Sequence, residues 1–472
     1  MKQLLLFLFL GISFIFHTQA QPLTLKKGIV LDALQVNDSI SESFALYLPK
    51  SFENTGKWPV VFVFDMQGRG KQILGMFKEA AEKQGYILAA SNNINDSLSI
   101  AKNILVSNRM FNKVLSIFPI HRSRIYTAGF SNGARFAAVV PTFVKEVEGV
   151  IACGAGVPNI EILNSKNPFH FVGIVGKEDF NYSQMLSMEK ALNKKKFPNQ
   201  LLIFDGGHQW PDQKYITKAM EILTLSAMAK GSVPKDSVYI NESLKRNLDE
   251  ISGLLNSGKL LAADDLLGDV LSVYRVHRNL DSLRERKRSL KKEKRFRALK
   301  RNENNIFFKE SLIKEDYIYY LEEDVLTYNF NNLGWWSYQM DELKKFSKSS
   351  NKAEQQMGKR LSSFVNALIA DNIDIINAEK LVDEEALNFL WMLKTITAPK
   401  EYGNYLKIIS SNAKNEDFGT AIFYLEELLK NGYTDKTELY ALEHTALLKI
   451  TPKYNEIVAK YLKDARYDIK EE

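Results

Sequence analysis

The sequence predicts an α/β domain built on a mostly parallel sheet with helices on both faces, followed by an all-α domain. Three observations carry this. From about residue 40 to 230, short apolar runs alternate with longer amphipathic stretches, the pattern of strands separated by crossover helices. Several runs are apolar without alternation, as in Val60-Val61-Phe62-Val63-Phe64, which marks strands covered on both faces. Near residue 240 the texture changes, and apolar residues then recur at spacings of three and four.

Taken in order, the chain opens with a three-part leader. Lys2 supplies a positive start, Leu4 to Phe16 is a 13-residue apolar segment, and Thr18-Gln19-Ala20 resembles a small-residue cleavage site. Thirteen apolar residues fall short of the roughly 20 that span a bilayer, so the segment reads as a removable signal peptide, 1–20, with an exported, periplasmic or extracellular product beginning near Gln21. No later run is long and apolar enough for a transmembrane helix. The expected strands are Ser43–Leu48, Pro59–Phe64, Tyr86–Ala90, Arg124–Gly129, Gly149–Cys153, Phe169–Val175 and Gln200–Phe204, within a domain spanning 21–235. The sole cysteine, Cys153, lies in the apolar run Gly149–Cys153 and reads as a small buried hydrophobe; it excludes an intramolecular disulfide and a cysteine zinc site.

The second domain, 236–472, begins with Leu244, Leu248, Ile251 and Leu255, a break at Ser257-Gly258, then Leu261, Leu266, Leu267, Val270 and Leu271: a helical hairpin turned at glycine. Ala421, Tyr424, Leu425 and Leu428 before Asn431-Gly432, then Leu439, Leu442, Leu447 and Leu448, repeat the style, and such hairpins resemble tetratricopeptide-type repeats. The net charge of +7 is local. Arg284 to Arg301 holds eleven Lys or Arg and two acidic residues, leaving −2 for the rest of the chain. This stretch reads as one helix whose seam of Val273, Val276, Leu280, Leu283 and Leu290 fades as the charge builds, with a solvated basic face. That face is also where an acidic polymer or a membrane surface would dock, and the helical domain is where a protein partner would bind; the export signal argues against nucleic acid.

Chemistry concentrates at Gly129-Phe130-Ser131-Asn132-Gly133, between the run Arg124–Ala128 and the helix-like Ala134–Val140. A G-x-S-x-G elbow between strand and helix holds serine on a strained turn with its hydroxyl exposed. Serine at its free pKa is a weak nucleophile and needs a base and an orienting acid. Asp179, in Gly176-Lys177-Glu178-Asp179-Phe180, follows one late strand, and His208, in Gly206-Gly207-His208-Gln209-Trp210, follows the next. In an open sheet of this kind, reactive groups gather at the carboxyl ends of strands. Of six histidines, His17 leaves with the leader, His121 stands at the wrong end of the serine's strand, His170 starts an apolar strand, and His277 and His444 belong to the helical half. Only His208 occupies a glycine-rich loop after a late strand. Glu178 and Asp205 rival Asp179 as the acid; Asp205, three residues from His208, reads instead as a cap for its own loop. Donors for a developing oxyanion are expected from the backbone N–H of Asn132 and from the loop Asp65-Met66-Gln67-Gly68-Arg69-Gly70, with Gln67 preferred.

Residues 40–230 thus resemble an α/β-hydrolase of the secreted esterase type that includes polyhydroxyalkanoate depolymerase-like and feruloyl esterase-like enzymes. The matching stretches are Pro59–Phe64 before a glycine-containing loop, Ile125-Tyr126-Thr127-Ala128-Gly129-Phe130-Ser131-Asn132-Gly133-Ala134, Asp179, and Gly206-Gly207-His208-Gln209-Trp210-Pro211. The resemblance implies Ser131 as nucleophile, His208 as base and Asp179 as its partner. One departure stands out: where such esterases commonly carry a His-Gly pair before the oxyanion donor, this chain has Asp65-Met66.

The function expected is a serine hydrolase cleaving carboxylic esters through an acyl-enzyme, on a small-molecule or polymer-linked substrate such as acyl groups on polysaccharides. Such chemistry needs no metal or organic cofactor, and the sequence contains neither recognisable zinc spacing nor a P-loop. Two other readings share the sequence. One is a serine peptidase of prolyl-peptidase-like type, since the triad does not separate ester from amide. The other is an inactive hydrolase-fold binding protein whose helical half recruits a protein partner.

Overall fold

Val60, Phe62 and Phe64 face one side of the central sheet and Val61 and Val63 the other, and all five are buried. Their strand has helices on both faces, which is why its apolar residues run without interruption. The computed structural model describes residues 25–463, and the expected signal peptide, 1–20, lies outside them. Eight strands form one sheet: β1 (Val30–Asn37), β2 (Ile40–Tyr47), β3 (Trp58–Phe64), β4 (Ile87–Ser91), β5 (Ile120–Phe130), β6 (Val147–Cys153), β7 (His170–Gly176) and β8 (Asn199–Phe204). Their order across the sheet is β1-β2-β4-β3-β5-β6-β7-β8, with β2 antiparallel to both neighbours and every other pair parallel.

Helices α1 (Gly70–Gln84) and α5 (Gln213–Ala229) cover one face, α2 (Ile100–Ile117), α3 (Asn132–Phe143) and α4 (Tyr182–Lys194) the other. Cys153 is buried at the end of β6. The seven expected strands are present with shifted ends. The eighth, β1, gives no sequence signal because it is an edge strand with a mixed burial pattern and irregular register, and Ala33 adopts φ 55° within it. The strand order and the antiparallel β2 give the α/β-hydrolase fold.

The all-α region runs through α6 (Ser237–Asn256), α7 (Leu260–Tyr274), α8 (Asp281–Lys292), α9 (Lys294–Leu326), α10 (Leu333–Ser347), α11 (Lys352–Asn377), α12 (Glu384–Thr397), α13 (Gly403–Lys414), α14 (Phe418–Lys430), α15 (Lys436–Ala441), α16 (Ala446–Lys449) and α17 (Pro452–Leu462). The first hairpin is α6 and α7, turned where Gly258 takes φ +70°. It buries Ile251, Leu266, Leu267 and Val270 against Leu225 and Met228 of α5. Helix lengths range from 4 to 33 residues, so no single repeat length governs the region.

The basic stretch is not one helix. It spans α8 and the start of α9, broken at Glu293, whose backbone is extended at φ −61°, ψ 135°. Leu280 and Leu290 are buried with Phe296 in the core that α6 and α7 share, while Val276 is exposed in the turn after α7. The apparent seam therefore joined residues of separate elements. No helix among the described residues is long and apolar enough to cross a membrane.

Candidate active site

Ser131 caps the N-terminus of α3 at φ 53°, ψ −122°, a conformation that costs a non-glycine residue about 1–3 kcal/mol. Neighbours hold it there. Its N–H donates to the Cys153 carbonyl at 2.9 Å, and its own carbonyl accepts from the N–H groups of Ala134 and Arg135 at 3.0 and 3.1 Å. The flanking glycines are required by close approach. A Cβ on Gly129 would lie 2.3 Å from the Gly133 carbonyl, and one on Gly133 would lie 2.3 Å from the Phe64 carbonyl oxygen. The elbow is thus pressed against the end of β3.

The next two residues arrive on adjacent strands. The loops after β7 and β8 are stitched together: Lys177 N–H donates to Phe204 O at 2.9 Å and Glu178 N–H to Gly206 O at 2.8 Å. Gly176 allows this approach, since a Cβ there would meet Gly206 O at 2.2 Å. Asp179 and His208 consequently face each other, with Asp179 Oδ2 2.9 Å from His208 Nδ1, and His208 Nε2 lies 3.0 Å from Ser131 Oγ. Asp179 is fully buried; its Oδ1 accepts from the Asn181 N–H at 2.8 Å, and Asn181 Nδ2 donates to Gly154 O at 2.8 Å. The imidazole is packed between the rings of Phe130 and Phe180, at centroid distances of 4.7 and 4.4 Å, and Trp210 backs Phe130 at 4.9 Å. An Nδ1–H donated to Asp179 leaves Nε2 free to accept the serine proton.

The rival groups are engaged elsewhere. Asp205 does not cap its loop but pairs with Lys177 at 2.9 Å, because the stitching of the two loops brings that lysine alongside; the hydrogen bond from Lys177 holds its carboxyl below the usual range. Glu178 pairs with Lys359 at 2.9 Å. His170 bridges Ser226 and Gln200 in the core, and burial brings it down to about 4. His277 bonds Leu225 O at 3.1 Å.

On the oxyanion side, Asn132 is the first residue of α3, so its N–H has no acceptor within the helix and sits at the positive end of the helix dipole. Gln67 is placed differently from the sequence expectation: its N–H donates to Asp65 Oδ1 at 3.2 Å. The Asp65 departure explains this, since a carboxylate commonly accepts from the N–H two residues on. Arg69 holds the same carboxylate at 2.6 and 3.2 Å. Asp96 closes this side, with its N–H on Met66 O at 3.0 Å and its carboxylate beside the Asn132 side chain. Burial raises the Asp96 carboxyl, the polar Asn132 side chain opposes that, and the charges of Asp374 and Asp65 add to the rise. Among the described residues no group of three or more His, Cys, Asp or Glu could hold a metal ion.

No family model and no curated protein matches the chain. Solved structures do. The chain is similar to an S-formylglutathione hydrolase (FrmB) from Staphylococcus aureus, at 14% identity over 43% of this chain and 99% of that one, with a TM-score of 0.34. It is similar to Est1E from Butyrivibrio proteoclasticus, at 14% identity over 42% and 99%, TM-score 0.33. A truncated carbohydrate esterase from gut microbiota matches at 14% identity over 41% and 95%, TM-score 0.35. None of the three extends over more than 43% of this chain.

Several residues of the site had no weight in the sequence. Asn181, two positions after Asp179, carries a short-range signal in the Asp-x-Asn spacing that suits a carboxylate turn. Phe180 and Trp210 neighbour the named residues but show nothing of their packing until folded. Arg360 and Lys314, which reach the Asp179 loop from the helical half, lie over 130 positions away in sequence and leave no local trace.

Proposed function

We propose that the protein is a serine hydrolase that cleaves carboxylic esters through an acyl-enzyme, with Ser131 as nucleophile, His208 as general base and acid, and Asp179 as the orienting acid. The observation that carries this reading is the continuous chain Ser131 Oγ, His208 Nε2, His208 Nδ1, Asp179 Oδ2, at 3.0 and 2.9 Å, on a serine held at positive φ.

His208 Nε2 takes the Oγ proton as Oγ bonds to the ester carbonyl carbon, and the carbonyl π pair moves to oxygen. Collapse of that adduct expels the alcohol, which leaves with the proton from Nε2. Water then repeats the sequence on the acyl-enzyme and releases the acid. Asp179 keeps the tautomer and stabilises the imidazolium without itself taking the proton. The Asn132 N–H serves the oxyanion; the Gln67 N–H joins it once it leaves Asp65 Oδ1. The reading extends to export after cleavage near Gln21, and to esters carried on polymers such as acylated polysaccharides.

The Gln67–Asp65 bond favours a second reading, an inactive hydrolase-fold binding protein, because a missing oxyanion donor costs about 2.7–4 kcal/mol of transition-state stabilisation. One experiment separates the two. The mature protein, its N-terminus located by mass spectrometry, is incubated with a fluorophosphonate probe, p-nitrophenyl acetate and an acylated polysaccharide, beside Ser131→Ala. Labelling and turnover that vanish in the variant are expected; a wild type that neither labels nor turns over ester leaves the binding-protein reading.

A further inference from the structure

The loop that carries Asp179, residues 177–181, and the first turn of α4 are covered by charged groups of the helical half. Arg360 of α11 and Glu310 of α9 are 2% and 1% exposed at their side chains. Arg360 Nε donates to the two Glu310 oxygens at 3.1 and 2.9 Å, and Nη2 to Oε2 at 2.5 Å. Its remaining arm, Nη1, reaches out of the helical half and donates to the backbone oxygen of Lys177 at 2.7 Å. One turn along α9 from Glu310, Lys314 pairs with Glu310 Oε1 at 3.1 Å and donates to Phe180 O at 2.9 Å and Ser183 Oγ at 3.3 Å. The guanidinium also lies against the rings of Tyr182 and Phe307, 5.4 and 5.5 Å from their centroids.

Two cations thus grip the carbonyls two positions before and one position after Asp179. A buried ion pair is a poor way to gain stability, since well-packed apolar residues of similar volume often serve as well or better. Its distinct property is direction. The planar guanidinium, locked by Glu310 through Nε and Nη2, presents Nη1 at a fixed angle. The hold on Phe180 O matters twice, because the Phe180 ring packs on His208 at 4.4 Å.

We infer that Arg360 and Lys314 are positioning residues for Asp179: the helical half, through α9 and α11, sets the backbone on which the acid and the imidazole are aligned. This rests on the triad proposed above, and its test reads the alignment apart from turnover. The full chain is compared with Lys314→Met, which keeps the stem and removes the three polar contacts, and with Arg360→Lys, which keeps the charge beside Glu310 and loses the fork. Lys414→Ala, on an exposed pair with Glu384 far along the helical half, is the control.

The first readout is the far-downfield proton NMR resonance of the His208 Nδ1–H, assigned by its loss in Asp179→Asn. The second is the fluorophosphonate labelling rate, with kcat and KM on p-nitrophenyl acetate; thermal melting reports folding. Loss or broadening of the resonance is expected in Lys314→Met and Arg360→Lys, with kcat and labelling down by about tenfold to a hundredfold and KM changed less than about twofold. Lys414→Ala should match the wild type. Folded variants that keep both resonance and labelling overturn the inference, as does a wild type without the resonance or a loss of melting temperature alone. Should Arg360→Lys fail to fold, Lys314→Met decides. A wild type with the resonance but no turnover defeats the proposed function, while loss of the resonance in the variants still upholds the positioning role.

Discussion

The two sides of Ser131 are built differently. On one side, Asp179 is fully buried, its loop is stitched to the His208 loop by two backbone hydrogen bonds, and Arg360 and Lys314 hold it from α11 and α9. On the other, Gln67 and Arg69 are exposed, and the β3–α1 turn is closed mainly by its own residue Asp65. The proposed acid–base side is therefore set before any substrate arrives, by contacts from distant segments. The proposed oxyanion side is set by a local carboxylate that competes for the donor a substrate would need. Preorganisation of the one and local engagement of the other predict opposite responses to mutation.

The largest effect is expected on the clamped side. Asp179→Asn should lower kcat on p-nitrophenyl acetate by about 10⁴-fold, because the amide favours the wrong histidine tautomer. Asp205→Asn, in a partly exposed pair with Lys177, should stay within about twofold of the wild type. A large loss in the second variant and a small one in the first would reverse the assignment of the acid.

Acid should weaken the same side next. His170 begins β7, and burial holds its pKa at about 4, against 6.5 for the free side chain. The unfolded chain binds the proton more readily in that interval, so the stability is full above about pH 6.5 and falls as pH drops through 4, by on the order of 3 kcal/mol. Urea midpoints at pH 7.5 and 4.5 for wild type and His170→Gln check this: the variant should lose less between the two. Hydrogen exchange near pH 5 should rise in residues 199–208 before it rises in 65–70.

The smallest effect has the opposite sign. Asp65→Ala frees the Gln67 N–H, and kcat should rise by about fivefold, the worth of one net hydrogen bond. A fall as deep as that of Asp179→Asn would show that both sides are preorganised alike.

Much of the site is legible in the chain because its signals are local. The elbow needs glycine on either side of Ser131, and the late strands Phe169–Val175 and Gln200–Phe204 each end in a short loop that presents one polar side chain, Asp179 or His208. Gly176 and Gly206 meet only because β7 and β8 pair in parallel, yet both glycines are visible in the sequence. β1 was silent because an edge strand with a bulge shows no clean alternation. The break in the basic stretch is invisible along the chain because periodicity alone does not register the extended backbone at Glu293 between α8 and α9.

Local sequence signals specify the α/β order of strands and helices, the switch to helix near residue 240, and the positions of Ser131, Asp179 and His208 at strand ends. These follow from short-range periodicity and steric demands that act within a few residues. Only tertiary packing turns Asp205 to Lys177 and brings Arg360 and Lys314 onto the Asp179 loop. Those outcomes depend on which charges are brought together once burial makes an unpaired one costly, and that pairing is settled by packing between segments 28 to 183 residues apart rather than by local spacing along the chain.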